Sequence, residues 1–228
     1  MVKYHPDTRF LTDYAAGSLP ESQALCVAAH LHYCHSCRKH ISELTELGAE
    51  LFMTQVPDNV NSDSFTVLME KLDAPQPESQ PNTIDTDQVT SNPVEQDALP
   101  KAIRKLTNGN IEKLSWRNLG KSFRYATIQT SDSHRESSLL EIKAGGEIPN
   151  HHHSGDEITV VLKGSCSDQE DRYHVGDYIV RTSGETHTPV ASQDEDCLCL
   201  ATLDAPIIMN NWIYRLLTPF INKPTVTG

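Results

Sequence analysis

The chain has 228 residues, 37% of them hydrophobic, which suffices for one large or two small cores. Its 31 acidic side chains outnumber 19 basic ones for a formal net charge of −12, the opposite of what phosphate neutralisation needs, so a basic protein partner is expected and direct nucleic-acid binding is not. No apolar run approaches the roughly 18 residues of a spanning helix, and the start Met1-Val2-Lys3-Tyr4-His5-Pro6-Asp7 has no apolar signal region, so a cytoplasmic protein without membrane contact is expected.

Residues 1–73 read as helical. Phe10, Leu11 and Tyr14 share one helical face, Gly17 is a stop, and Pro20-Glu21 opens a second helix continued by Ala24, Leu25, Ala28, Ala29 and Leu31. Ile41, Leu44, Leu47 and Leu51 mark a third, and Phe65, Leu68, Met69 and Leu72 a fourth. Four short helices make a marginal core, which a metal staple would reinforce. Residues 74–100 contain five acidic side chains, no basic one, no aromatic one and five prolines (Pro75, Pro77, Pro81, Pro93, Pro100). Such a segment buries too little apolar surface to offset its ordering entropy, so it reads as an extended linker that lets its neighbours dock or separate.

From residue 101 to 228 the period changes. Ser138–Ile142, Glu157–Leu162 and Asp177–Val180 are rich in β-formers and are punctuated by Gly145-Gly146, Gly164, Gly176 and Gly184, the spacing of an antiparallel sandwich or barrel. Trp212, Ile213, Leu216, Leu217 and Phe220 suggest a short amphipathic helix packed against that barrel.

Six cysteines in a cytoplasmic chain are expected to be thiols or metal ligands rather than disulfides. His30, Cys34 and Cys37, spaced by four and three, fall on one face of a helix. Imidazole and thiolate suit zinc, and a structural site takes four ligands in a tetrahedron. His5 is the expected fourth, ahead of His32, His35 and His40. A thioredoxin-like redox pair lacks its βαβ surroundings, and ordinary core packing leaves the helical-phase histidine unexplained. The same residues, with the run Leu11-Thr12-Asp13-Tyr14-Ala15-Ala16-Gly17-Ser18-Leu19-Pro20, resemble the zinc-binding anti-sigma domain. That resemblance implies a helical domain that clamps an extracytoplasmic-function (ECF) sigma factor, with His5, His30, Cys34 and Cys37 as zinc ligands and no catalytic group.

The second constellation is Gly145-x5-His151-x-His153-x3-Glu157-x6-Gly164, followed by Gly176-x7-Gly184-x2-His187. His151 and His153 face the same way on an extended segment, Glu157 follows a Ser154-Gly155 turn, and His187 arrives from a neighbouring strand. Three imidazoles and a carboxylate suit zinc, the first expectation, or manganese, iron or nickel. His134, His152 and His174 are expected at the surface. These spacings resemble the two cupin motifs over residues 110–205, with Thr182 and Ala191 standing where the second motif has proline and asparagine. The resemblance implies a jelly-roll β-barrel with metal ligands His151, His153, Glu157 and His187. Cys197 and Cys199 share one face of a late strand, while Cys166 and Cys26 stand alone. All four are expected to be core residues, with oxidant sensing by a barrel thiol the sharper reading.

The chain thus reads as a multi-domain α plus all-β protein: a zinc-binding anti-sigma domain (1–73), an acidic linker (74–100) and a cupin domain with a tail (101–228). The two motif sets together resemble the ChrR family of anti-sigma factors. Membership implies a non-enzymatic regulator of transcription that sequesters an ECF sigma factor and releases it under oxidative stress from singlet oxygen or organic peroxide. The alternative is a dioxygenase-like cupin enzyme with a helical regulatory domain.

Overall fold

The structure, a computed structural model, describes residues 2–55, 62–73, 99–132, 134–205 and 207–209. Most of the expected linker and all of the expected tail helix lie outside these residues. Helix α1 (Thr8–Ala15) starts on Asp7, whose carboxylate accepts the Phe10 N–H at 2.9 Å. It stops at Gly17, whose φ of +69° lets the Ser18 N–H turn back to the Asp13 carbonyl at 2.9 Å. Helix α2 (Glu21–Tyr33) follows Pro20, and α3 (His35–Met53) follows α2 after one residue. That residue is Cys34, at φ −105° and ψ 107°, so the chain leaves the helix between the two cysteine-bearing turns. Helix α3 runs 19 residues, longer than the short helix expected, and α4 (Ser62–Asp73) completes the helical half.

After α5 (Lys101–Leu106) the chain is β-rich. One six-stranded antiparallel sheet has the order β1 (Arg117–Leu119), β2 (Phe123–Ile128), β3 (Glu136–Ile142), β11 (Cys197–Leu203), β5 (Glu157–Lys163), β8 (Tyr178–Arg181). Two three-stranded sheets complete the barrel. One has the order β10 (Val190–Ala191), β6 (Ser165–Ser167), β7 (Arg172–His174), and the other β12 (Ile207–Met209), β4 (His151–His153), β9 (Thr186–His187). The jelly-roll expectation is met, and the expected strand segments fall in β3, β5 and β8. At the two departures from the cupin motif, the Thr182 hydroxyl donates to Glu185 at 2.8 Å and Ala191 pairs with Cys166, so both turns close without proline or asparagine.

The helical half does not own its core. Helix α2 lies on the large sheet against β5, β8 and β11. Leu25, Cys26, Val27 and Ala29 share one buried cluster with Ile103, Leu139, Ile158, Val160 and Leu200 of the β half. Each large apolar side chain buried this way contributes about 1.5–3 kcal/mol. The N-terminal strap adds main-chain bonds: the Lys3 and Tyr4 N–H groups donate to Asp177 at 2.7 and 3.1 Å, and the Tyr178 N–H donates to the Tyr4 carbonyl at 3.0 Å. Modules that dock or separate were expected; here they are docked, α2 sharing one buried cluster with the large sheet while a second cluster lies within the barrel.

Candidate metal centres

The first centre gathers His5, His30, Cys34 and Cys37, whose ligand atoms all lie within 4.8 Å of one another. It forms differently from the single helical face expected. His30 lies in the last turn of α2, Cys34 caps α3 by accepting the Cys37 N–H at 3.5 Å, and His5 arrives on the strap. The break at Cys34 turns the two thiols toward His5 instead of along a helix axis. His5 Nδ1 stands 3.4 Å from the Cys34 sulfur and 3.5 Å from the Cys37 sulfur. A nitrogen at about 2.05 Å and a sulfur at about 2.3 Å from one tetrahedral zinc are about 3.5 Å apart, so the edges fit that ion.

The electrostatics agree. His30 Nδ1 donates to the Gly176 carbonyl at 2.6 Å, which leaves Nε2 as a bare lone pair, fully buried and without a hydrogen-bond partner among the described residues. Burial lowers the His30 pKa to about 4, keeping the imidazole neutral. Burial pushes the Cys34 thiol up, but hydrogen bonds from the Ser36 hydroxyl and the Cys37 N–H outweigh it and hold it below its ordinary value. Cys37 is pushed up to about 11 by burial and by the Cys34 sulfur beside it. A cation that takes both sulfurs and the orphaned Nε2 offsets the cost of a charged Cys37 sulfur and supplies the partner that His30 Nε2 lacks. His32 and His35 are exposed, His40 is half-buried, and none joins the group.

The second centre gathers His151, His153, Glu157 and His187, again within 4.8 Å. Strand β4 supplies the first two, β5 begins at Glu157, and β9 pairs His187 directly with His151. His151 Nδ1 donates to the Pro149 carbonyl at 2.9 Å, and His187 Nδ1 to Asp168 at 3.2 Å. Those tautomers, assigned from the acceptors, strip the hydrogen from both Nε2 atoms, which nevertheless face each other at 3.0 Å. His153 Nε2 also lies 3.0 Å from His187 Nε2. Lone pairs so close repel unless a cation stands between them. Two imidazole nitrogens about 2.1 Å from one ion and about 90° apart have this separation. Burial lowers the His153 pKa and takes that of His151 to about 4, favouring neutral, ligating rings.

Sequence reasoning missed Asp168. Burial raises its pKa, but hydrogen bonds from the Glu170 N–H, His187 and Arg181 win and keep it ionised; Arg181 donates to it at 2.6 Å. It also missed the Gly176 carbonyl behind His30 and the meeting of Cys166 with Cys197 and Cys199, so Cys166 does not stand alone. Spacing carries no signal for these, because each partner comes from a different strand or turn. His134 and His174 are exposed, as expected, and His152 is half-buried on the opposite face of β4. A cavity of about 100 Å³ opens beside the second centre, bordered by His151, Glu157, His187, Cys166, Cys199 and a largely apolar wall.

Residues 106–205 match the family described as the ChrR cupin-like domain. The chain is 32% identical, over 96% of its own length and 98% of the relative's, to the anti-sigma-E factor ChrR of Cereibacter sphaeroides. Its fold matches a crystal structure of Rhodobacter sphaeroides SigE in complex with the anti-sigma ChrR, with TM-score 0.72, 31% identity, and coverage of 89% of this chain and 99% of that one. Similarity along nearly the whole chain, helices included, sets the dioxygenase-like reading aside: this protein belongs to the ChrR family of anti-sigma factors.

Proposed function

We propose that the helical half, residues 1–73, binds and blocks an ECF sigma factor in the cytoplasm, and that the barrel, residues 101–228, governs release under singlet oxygen or organic peroxide. Residues 74–100 tether the two. Zinc at His5, His30, Cys34 and Cys37 ties the strap to α2 and α3. A divalent ion at His151, His153, Glu157 and His187, zinc first and manganese, iron or nickel next, ties β4 to β5 and β9. When bound, each ion supplies charge that its ligand lone pairs lack, and cross-links segments far apart in sequence.

One observation carries the reading. The end of α3 and the length of α4 present Leu47, Leu51, Phe52, Met53, Phe65, Leu68 and Leu72 to solvent, with Phe52 76%, Met53 81% and Phe65 64% exposed. A soluble monomer rarely leaves such a row uncovered, so it marks a protein-binding face. The net charge of −12 complements a DNA-binding partner, which must present basic surface. The relative of known structure was crystallised with SigE.

The test is co-expression with an ECF sigma factor encoded beside this chain. A one-to-one complex is expected, and Phe52→Asp combined with Phe65→Asp abolishes it while zinc content and helicity stay unchanged. A double variant that co-purifies as well as the parent overturns the assigned face; no complex with any ECF sigma factor overturns the function.

A further inference from the structure

Three thiols meet inside the barrel in a group that neither metal centre uses. Cys166 on β6 and Cys197 and Cys199 on β11 place their sulfurs within 4.8 Å of one another, and the Cys197 and Cys199 sulfurs are 3.6 Å apart. All three residues are buried and none is in a disulfide. Cys166 and Cys199 also border the cavity, so the group is reachable from it. A disulfide would use two of these sulfurs and require an oxidant, whereas a trigonal ligand uses all three.

The donor set and the surroundings select that ligand. Three sulfurs without an oxygen or nitrogen donor in the group call for a soft, thiophilic centre. Three thiolates around a monovalent or divalent cation leave net negative charge in a buried site, which is costly; around a trivalent centre they leave none. The neighbouring sulfurs and burial hold the Cys199 thiol well above its ordinary value, so the empty group resists carrying three charges. The largely apolar cavity wall lets a small uncharged solute reach the sulfurs without losing strong hydration.

We propose that Cys166, Cys197 and Cys199 form a binding site for one trivalent metalloid centre of the arsenite class, entered through the barrel cavity. The reaction is a condensation without redox change. Arsenous acid, As(OH)3, meets three S–H groups, three As–O bonds and three S–H bonds break, and three As–S bonds form. Each thiol proton leaves with one hydroxyl as water, arsenic stays trivalent, and the bound product is neutral. The inference stands independently of sigma-factor binding.

The experiment titrates the full-length, zinc-loaded protein with sodium arsenite. Intact mass gives the stoichiometry, arsenic K-edge absorption the sulfur neighbours, and metal analysis the zinc retained. One arsenic per chain with three sulfur neighbours and undiminished zinc is expected. Cys166→Ala and the bulkier Cys166→Val both weaken binding on the order of a hundredfold, because one arm of the chelate is gone. Two or fewer sulfur neighbours in the parent protein, or arsenic bound only as zinc is lost from Cys34 and Cys37, overturns the proposal. The neighbour count on the parent protein stands whether or not the variants fold.

Discussion

Gly176→Ala probes the seam between helices and barrel. Gly176 has φ +92°, and a Cβ there would lie 2.6 Å from Tyr33 Cβ and 2.8 Å from Val2 Cγ2, both in the helical half. Two costs follow. The left-handed backbone costs an alanine about 1–2 kcal/mol whether or not the helices are docked. Overpacking against Tyr33 and Val2 costs about 1–3 kcal/mol and falls only on the docked state. Gly184 separates them, because it has the same φ of +92° with nothing within 4 Å of its would-be Cβ. Gly184→Ala therefore bears the first cost alone. Hydrogen exchange of the α2 amides, Val27 through His30, reads local opening. Gly176→Ala should accelerate that exchange about 5–150-fold over Gly184→Ala, the factor corresponding to 1–3 kcal/mol. Zinc should also pass to a chelator faster, since the Gly176 carbonyl that orients His30 moves. Equal α2 exchange in the two variants would refute the seam.

Three further outcomes are expected. Asp168→Asn removes the ionised acceptor of His187 Nδ1 and should lower metal affinity at the barrel centre about 10–100-fold, read by competition with a fluorescent chelator; unchanged affinity sinks that role. The Tyr178 hydroxyl is buried without a hydrogen-bond partner among the described residues, so Tyr178→Phe should be neutral or stabilise by up to about 1 kcal/mol in urea denaturation, and a loss above that contradicts the reading. In metal-stripped protein, His30 and His151 stay neutral down to about pH 4 while their unfolded counterparts protonate near 6.5. The unfolded state then binds more protons in that window, so stability is full above it and falls as pH drops from 6.5 toward 4; equal urea midpoints at pH 7 and pH 5 would count against it.

What the sequence made legible was local. His151 and His153 share a face because an extended chain has period two, and they do so in β4. Glu157 and His187 join them through strand pairing, which spacing alone cannot dictate and which the cupin resemblance supplied. The helices were legible as periodic apolar faces, but the surface covering α2 was not. The reason lies in Ser22, Cys26 and His30, four residues apart and fully buried. Ser22 donates to Asp132 and His30 to Gly176, both across the seam, while Cys26 between them packs into the shared apolar cluster, so the two polar positions of this stripe are satisfied by hydrogen bonds. Nothing in the sequence marks Asp132 or the Gly176 carbonyl as their partners, and the acidic, proline-rich segment 74–100 reads as a tether between two modules.

The same stripe bears on how the two centres relate. The stretch from Gly176 through β8 is six residues long and touches both. At its start, the Gly176 carbonyl holds His30, and Asp177 and Tyr178 hold the strap that carries His5. At its end, Arg181 grips Asp168, which orients His187. Apolar packing tolerates small sliding, but a carbonyl 2.6 Å from an imidazole does not, so displacement of this strand falls on ligand orientation. Gly176→Ala and Asp168→Asn strike its two ends. If the strand moves as a unit, each variant changes metal retention at the far centre as well as the near one, by a smaller factor. If only the near centre responds, the two metals are held independently and the seam serves stability alone.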